Sequence, residues 1–163
     1  MTSMRDINKV VENCKRKLDA IGIEYGIIVS VTVNTRAQKR WGQCKKIGSY
    51  YMIDISSRLL SESVELIHLE DTIIHEILHT CRDCMDHGKE WKRLADKVNA
   101  AYGYNIKRTA SMQEVGIEPI HAKYKFVCNG CGQVINRMRE SKFTRNPNAY
   151  KCGICGGKFE RVF

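Results

Sequence analysis

The sequence has no long apolar segment. None of its apolar runs approaches the roughly 18 residues needed to cross a bilayer, which argues against an integral membrane protein. The first residues lead directly into a charged, amphipathic stretch and show no apolar signal-peptide core. We therefore expect a protein of the cytoplasm or the nucleoid that is not secreted and does not bind membranes.

Acidic residues are scarce in the last part of the sequence. Residues 123–163 contain nine Lys and Arg but two acidic side chains, which gives them +7 of the net charge of +9. A segment this basic favours a polyanionic partner, and we expect nucleic acid, most simply DNA. The side chains expected to contact phosphates are Lys123, Lys125, Arg137, Arg139, Lys142, Arg145 and Lys151.

The composition is otherwise that of a globular protein, with 43% hydrophobic and 28% charged residues. The length of 163 residues suits one ordinary domain with a small appendage. The eight cysteines indicate metal or redox chemistry, because a reducing cytosol disfavours structural disulfides.

Hydrophobic periodicity predicts three helices and three strands before the basic segment. The helices are expected at residues 4–21, 59–80 and 88–102. The strands are expected at residues 25–33, 38–46 and 49–55. Gly48 is expected in the turn between the last two strands, and residues 104–122 are interpreted as a connector.

Residues 75–79 read H-E-I-L-H inside the second predicted helix. Side chains four residues apart lie on one face of a helix, so His75 and His79 can both reach one Zn²⁺. Glu76 then lies beside the metal, where it can accept a proton from the attacking water. The motif predicts a hydrolytic zinc centre with Glu76 as its catalytic residue.

His87 is the expected third ligand, because a catalytic zinc usually takes three protein ligands and one water. On a continuous helix His87 would lie about 12 Å beyond His79, so the chain must turn back between them. Residues 81–86 suit such a turn. His68 lies on the same helix face as His75 but too far along it to bind the same ion.

Three stretches of this sequence occur together in one known family. Residues 75–79 are followed by residues 87–92, H-G-K-E-W-K, and preceded by residues 40–44, R-W-G-Q-C. In this combination the sequence resembles the SprT-like zinc metallopeptidases, which include the Spartan proteases. That family pairs H-E-x-x-H with a downstream H-G-x-x-[FW] and an upstream W-G-x-C, and often carries a zinc ribbon after the peptidase domain.

The resemblance implies an α+β fold of the zincin-like, minigluzincin type. Such a fold has a helix, a small antiparallel sheet and the H-E-x-x-H helix, here followed by a small zinc ribbon. The resemblance also assigns the catalytic zinc to His75, His79 and His87, and the catalytic role to Glu76. The expected domains are a SprT-like metallopeptidase domain over residues 1–115 and a four-cysteine zinc ribbon over residues 116–163, with a linker at 116–122.

Two C-x-x-C-G knuckles predict a second, structural zinc site. Cys128 and Cys131 precede Cys152 and Cys155 at a spacing typical of a zinc ribbon, and four thiolates bind Zn²⁺ tetrahedrally. Because sulfur fills every position, we expect this site to support folding and not catalysis. The surrounding aromatic residues can form the core of the module or stack on bases, and we favour the core.

Several residues keep more than one interpretation. Cys81 and Cys84 form a C-x-x-C without a partner pair, so a redox influence on the active zinc and a structural role both stay open. Cys14 lies on the apolar face of the first helix and is expected in the core. The candidates for stabilising the oxyanion, on chemistry alone, are Tyr50, Tyr102 and Tyr104.

The leading hypothesis is a monomeric zinc-dependent endopeptidase with two zinc ions, one catalytic and one structural. Its substrates are proteins or peptides, including proteins associated with DNA. One alternative is a catalytically silent, zinc-stabilised DNA-binding adaptor. The presence of Glu76 argues against it, because a structural zinc site needs no general base. Another is a zinc hydrolase of small amides, which has no evident use for a basic ribbon.

Overall fold

The computed structural model of the protein describes residues 4–37, 39–117 and 122–163. They fall into two units, one within Met1–Glu118 and the other within Pro119–Phe163. Residue 38, where the second predicted strand begins, and residues 118–121 of the predicted linker lie outside the described residues.

The first unit begins with helix α1, Ile7–Ala20, which the periodicity predicts. The carboxylate of Asp6 accepts the N–H of Asn8 at 3.0 Å and so satisfies a donor left free at the helix start. The face of α1 turned to the core carries Val11, Cys14 and Leu18. The predicted core position of Cys14 is therefore confirmed.

Three strands follow: β1 at Ile27–Asn34, β2 at Gly42–Ile47 and β3 at Tyr50–Ser56. They form a sheet in the order β1-β3-β2. β2 and β3 make an antiparallel hairpin. Its turn contains Gly48 at φ +60°, a left-handed conformation that glycine adopts without strain.

The expectation of a purely antiparallel sheet is wrong for one of the two pairings, because β1 runs parallel to β3. β2 lies on the far side of β3, so β1 and β2 do not pair. The chain reverses once before β2 and again at the hairpin, which restores the direction of β1. Alternating residues identify strands, but they do not select the neighbour with which each strand pairs.

The H-E-x-x-H helix is shorter than predicted. In place of one helix over residues 59–80, the structure has a 3₁₀ turn at Ser57–Leu60 and helix α2 at Leu66–Leu78. Between them, the hydroxyl of Ser61 accepts the N–H of Ser63 at 3.2 Å, a local bond that competes with helix formation. The apolar residues that α2 buries in the core are Leu69, Ile73, Ile74, Ile77 and Leu78.

Helix α3, Lys89–Tyr102, and the segment after it complete the first unit. As predicted, α3 ends at Gly103, which has φ +71° and takes the left-handed cap position. The following segment, interpreted above as a connector, has no regular helix or strand among its described residues. It nevertheless buries Tyr104, Ile106, Val115 and Ile117. These side chains make it part of the core.

A buried carboxylate joins α1, α2 and the segment after α3. Glu70, on α2, accepts hydrogen bonds from Asn13 at 2.9 Å, from Lys17 at 3.0 Å and from Tyr104 at 2.8 Å. Both carboxylate oxygens therefore have partners, which a buried charge requires if it is not to destabilise the fold.

The second unit is a small three-stranded antiparallel sheet in the order β5-β4-β6. Its strands are β4 at Tyr124–Cys128, β5 at Val134–Arg137 and β6 at Phe159–Arg161, with the short helix α4 at Lys142–Arg145 before β6. Phe126 and Phe159 are buried, and the ring of Phe143 packs against both, with centroids 4.7 and 5.5 Å away. These aromatic rings form the core of the unit, as favoured above.

The predicted α+β class is confirmed, with helices and small sheets in separate parts of the chain. Among the described residues, every helix is too short or too polar to pass through a lipid bilayer.

The difference in burial between two isoleucines of the sheet leads to a prediction about stability, with the exposed isoleucine as the control. Ile55 is fully buried in β3, whereas Ile47 is more than half exposed at the end of β2. We expect Ile55→Ala to lower the free energy of unfolding by about 2–5 kcal/mol, because it leaves a cavity. Ile47→Ala should change it by no more than about 0.5 kcal/mol.

Urea unfolding followed by tryptophan fluorescence measures this difference. Both tryptophans of the chain, Trp41 and Trp91, lie in the first unit, so the signal reports that unit. Similar losses for the two variants would contradict the described core.

Candidate functional site

The three histidines of the predicted zinc site meet in the first unit. His75 lies in the last turn of α2, and His79 follows directly as its C-terminal cap residue. The chain then turns back before α3 and brings His87 beside them. The Nε2 atom of His75 lies 3.3 Å from that of His79 and 3.0 Å from that of His87.

The turn that returns His87 lies at residues 79–88, close to the predicted position. Asp83 has φ +58°, a left-handed conformation that Asp tolerates better than most residues. Asp86 accepts the N–H of Gly88 at 3.0 Å, and Gly88 is the residue that caps α3. Asp86 therefore shapes the turn before the helix.

The ring orientations leave nitrogen lone pairs turned toward one another. Nδ1 of His75 lies 3.0 Å from the carbonyl oxygen of Lys107, and Nδ1 of His79 lies 2.7 Å from that of Cys84. A carbonyl only accepts, so each Nδ1 carries the proton and each Nε2 is bare. Two bare Nε2 atoms at 3.3 Å repel each other unless a cation lies between them.

The spacing fits a metal ion. Two nitrogens bound at about 2.05 Å in a tetrahedral site are separated by about 3.3 Å, close to the observed distances. Burial lowers the pKa of His75 to about 3, helped by the nearby His79 and His87, and it also lowers the pKa of His79 and of His87. The rings are thus neutral, as metal ligation requires. His75, His79 and His87 form a group that could hold a metal ion.

The ring of Trp91 packs against the rings of all three histidines. Its ring centroid lies 4.7 Å from His75, 5.7 Å from His79 and 4.6 Å from His87, and its side chain is buried. Periodicity places Trp91 on the buried face of α3 but does not reveal that this face supports the histidines. Its position in the H-G-x-x-W stretch is the one signal that could have done so.

Glu76 is buried between α2 and β2. The backbone N–H of Cys44 interacts with its carboxylate. Burial raises the pKa of Glu76 to about 7, while the positive charge of Arg40 and the N–H of Cys44 oppose that rise. A carboxyl group that titrates near neutral pH suits proton transfer.

A cleft of about 490 Å³ opens above the histidines and Glu76. One wall is formed by residues 39–44, which include the start of β2, and the other by residues 105–110. His68 also lines the cleft but lies outside the histidine group. Among the described residues, none of the oxyanion candidates Tyr50, Tyr102 and Tyr104 lines it. That suggestion is therefore wrong.

Side chains from other elements hold residues 105–110 in place. The Asn99 side chain accepts the N–H of Ile106 at 2.8 Å and donates to its carbonyl at 3.0 Å. The indole N–H of Trp41 donates to the carbonyl of Ala110 at 2.9 Å. Sequence reasoning missed this wall, because its partners are distant along the chain and it has no periodicity of its own.

Cys81 and Cys84 are buried in the core of the first unit. Burial raises the pKa of Cys81 to about 12, so its thiol is unreactive at neutral pH. The Cys84 carbonyl fixes His79. Both observations favour the structural interpretation of this C-x-x-C.

In the second unit, the four cysteines of the knuckles come together. Sγ of Cys128 lies 3.4 Å from that of Cys155, and Sγ of Cys131 lies 3.6 Å from that of Cys152. Tetrahedral Zn–S bonds of about 2.3 Å would separate the sulfurs by about 3.8 Å. This group, too, could hold a metal ion.

The glycines around these sulfurs have two different roles. The N–H of Gly130 donates to Sγ of Cys128 and the N–H of Gly157 to Sγ of Cys155, each at 3.4 Å. The glycine after each knuckle, in contrast, takes a left-handed conformation and closes the turn. The sulfur-directed amides thus belong to Gly130 and Gly157, while Gly132 and Gly156 close the turns.

Comparison with known proteins agrees with the resemblance seen in the sequence. Residues 8–110, more than half of the chain, match the model of the SprT-like family. The chain is also similar to the protein named "Protein SprT-like" of Bacillus subtilis (strain 168), with 25% identity over 129 residues. The match covers 73% of this chain and 78% of that protein. The chain belongs to the SprT-like family.

Proposed function

We propose that the protein is a zinc-dependent endopeptidase whose first unit hydrolyses peptide bonds. The observation that carries the proposal is the buried Glu76 beside three histidines with converging Nε2 atoms, all open to one cleft. Neutral imidazoles and tetrahedral spacing favour zinc. A zinc ion at this site supplies a Lewis acid that polarises the scissile carbonyl and acidifies a water molecule.

The residues of the chain supply the remaining chemistry. Glu76 accepts the proton of the attacking water and passes it to the leaving amine, as a general base and then a general acid. The carbonyls of Lys107 and Cys84 hold His75 and His79 in the tautomer that presents Nε2. β2 is an edge strand and could hold an extended peptide along the cleft by strand addition.

The alternative hypothesis, a catalytically silent DNA-binding adaptor, is less well supported. A metal site that only stabilises a fold gains nothing from a carboxylate buried next to it, which costs desolvation energy. Burial of a titratable carboxyl group that lines a cleft suits a catalyst better than a scaffold.

We further propose that the second unit binds a structural zinc and contacts DNA phosphates. Six of the seven side chains proposed for this role are exposed and the seventh, Lys125, is partly exposed. Lys125 and Arg137 lie within paired strands of the sheet. Arg137 and Arg161 lie over the rings of Phe143 and Tyr124, at 5.6 and 5.0 Å from the ring centroids. Cations on a rigid zinc-stabilised sheet suit binding that depends on charge and not on base sequence.

The chain should contain about two zinc ions when purified without added metal, one in each group. His75→Ala combined with His79→Ala should remove one of them, and Cys128→Ser combined with Cys131→Ser the other. Elemental analysis by mass spectrometry measures both. One ion per folded wild-type chain, or another metal at full occupancy, would contradict the proposal.

Glu76→Gln should keep both zinc ions and the fold but lose hydrolysis by about 10²–10⁴-fold, because an amide cannot accept the proton. The rate is measured on an unstructured protein substrate, with and without DNA, at matched zinc content. Wild-type rates in the variant would exclude Glu76 as the base. If the wild type itself cleaves nothing, the adaptor becomes the better hypothesis.

Nucleic-acid binding should fall steeply with salt and depend on charges of the second unit. For five phosphate contacts, counterion release gives a log–log slope of about −4.5 on duplex DNA. Combining Arg139→Ala, Lys142→Ala and Lys151→Ala should flatten the slope by up to about three units if all three contact phosphates.

The matched control removes three charges from the surface of the first unit, at Lys9, Arg16 and Lys97. Salt titrations on one labelled oligonucleotide compare the two triple variants. Equal loss of affinity in both would show that net charge, and not the second unit, determines binding.

A further inference from the structure

Gly42 is the first residue of β2 and faces Glu76 at a distance that leaves no room for a side chain. A Cβ atom at this position would lie 2.6 Å from Oε1, 2.7 Å from Cγ and 2.9 Å from Cδ of Glu76. Separations below 3.0 Å are essentially never seen for real Cβ atoms. The space that glycine leaves free is therefore occupied by the Glu76 side chain.

The need for glycine here concerns space and not backbone conformation. Among the glycines, positive φ angles occur at six other positions, and Gly42 is not one of them. The three atoms nearest to the missing Cβ all belong to Glu76. An alanine would be tolerated by the strand but would displace the Glu76 side chain from Cγ outward.

Pairing and hydrogen bonds resist a movement of the strand away from Glu76. β2 pairs with β3 from Gly42 to Ile47. Directly before it, the carbonyl of Trp41 accepts the N–H of Ser56 at 2.8 Å, and the Trp41 indole is tied to Ala110. The flexible partner in the contact is Glu76.

A second group of the same strand acts on the same carboxylate. The backbone N–H of Cys44, two residues after Gly42, interacts with the Glu76 carboxylate and lowers its pKa. β2 thus acts on Glu76 at two positions, through the open space at Gly42 and through the amide of Cys44.

We propose that Gly42 is a positioning residue for Glu76. Its missing side chain lets the carboxylate lie against β2 beside the Cys44 amide. None of residues 41–44 belongs to the metal group, and this contact gives one of them a role at the site. The catalytic part of this inference rests on the proposed peptidase function.

The first test is Gly42→Ala, with Val29→Ala in β1 as the control. Val29 is exposed, lies in another strand of the same sheet and does not line the cleft. Gly42→Ala should keep both zinc ions and lower kcat by about 10²-fold, because small misplacements of a catalytic group have effects of this size. KM should change by less than about threefold, since peptide binding does not need the base. Val29→Ala should leave both unchanged.

A double-mutant cycle separates positioning from a general effect on the strand. Glu76→Asp shortens the side chain by one methylene, which withdraws Oε1 but keeps an atom at the Cγ position, so part of the contact is relieved. In that background Gly42→Ala should lower kcat by a smaller factor than in the wild-type protein, because the two changes interact. The same cost in both backgrounds would overturn the proposal.

A third measurement needs no activity. Gly42→Ala should lower the urea midpoint of the first unit more in the wild-type protein than in the Glu76→Ala background, where the crowding is absent. An equal shift in both backgrounds would overturn the contact between Gly42 and Glu76. Absence of hydrolysis in every variant, with the unequal shifts retained, would overturn the proposed function and the positioning role but leave the contact standing.

Discussion

The repulsion between bare imidazole nitrogens is the constraint around which the first unit is arranged. His75 and His79 each use Nδ1 to bond a backbone carbonyl, so their Nε2 atoms face each other at 3.3 Å without a proton between them. Such an arrangement is stable only if something rigid holds the rings or a cation joins them. The fold supplies the first, with Trp91 beneath the rings and buried α2 behind them.

The backbone carbonyls that accept hydrogen bonds from His75 and His79 belong to segments that also shape other parts of the site. The Lys107 carbonyl belongs to the wall of the cleft, and that wall is fixed in turn by Asn99 and Trp41. Trp41 precedes the strand that holds Glu76. The histidine group and the two walls of the cleft are therefore connected through a few hydrogen bonds.

The histidine group could be predicted from the sequence because local spacing determines it. Two histidines four residues apart on a helix share a face, and the polar stretch before His87 permits the return of the chain. The knuckle cysteines follow the same logic in the second unit. Both sets came together as expected, since their geometry depends on a short piece of chain.

What the sequence did not reveal depends on long-range contacts. β1 pairs in parallel with β3 because β2 lies at the edge of the sheet beyond β3. The alternation of residues along the strands does not encode this order. Residues 105–110 look like a connector because the side chains that anchor them lie elsewhere. The contact of Gly42 with Glu76 joins an edge strand to a helix, and glycine alone carries no sign of what fills the space beside it.

The closeness of the three histidines in sequence has a consequence for the order of assembly. All three lie within residues 75–87, and the carbonyl that orients His79 lies in the same stretch. Closing so short a loop costs little entropy. The local hairpin of α2 and α3 can therefore bring the three imidazoles together before the wall at 105–110 docks. The carbonyl that orients His75 belongs to that wall, so the final geometry of the group depends on a segment from a later part of the chain.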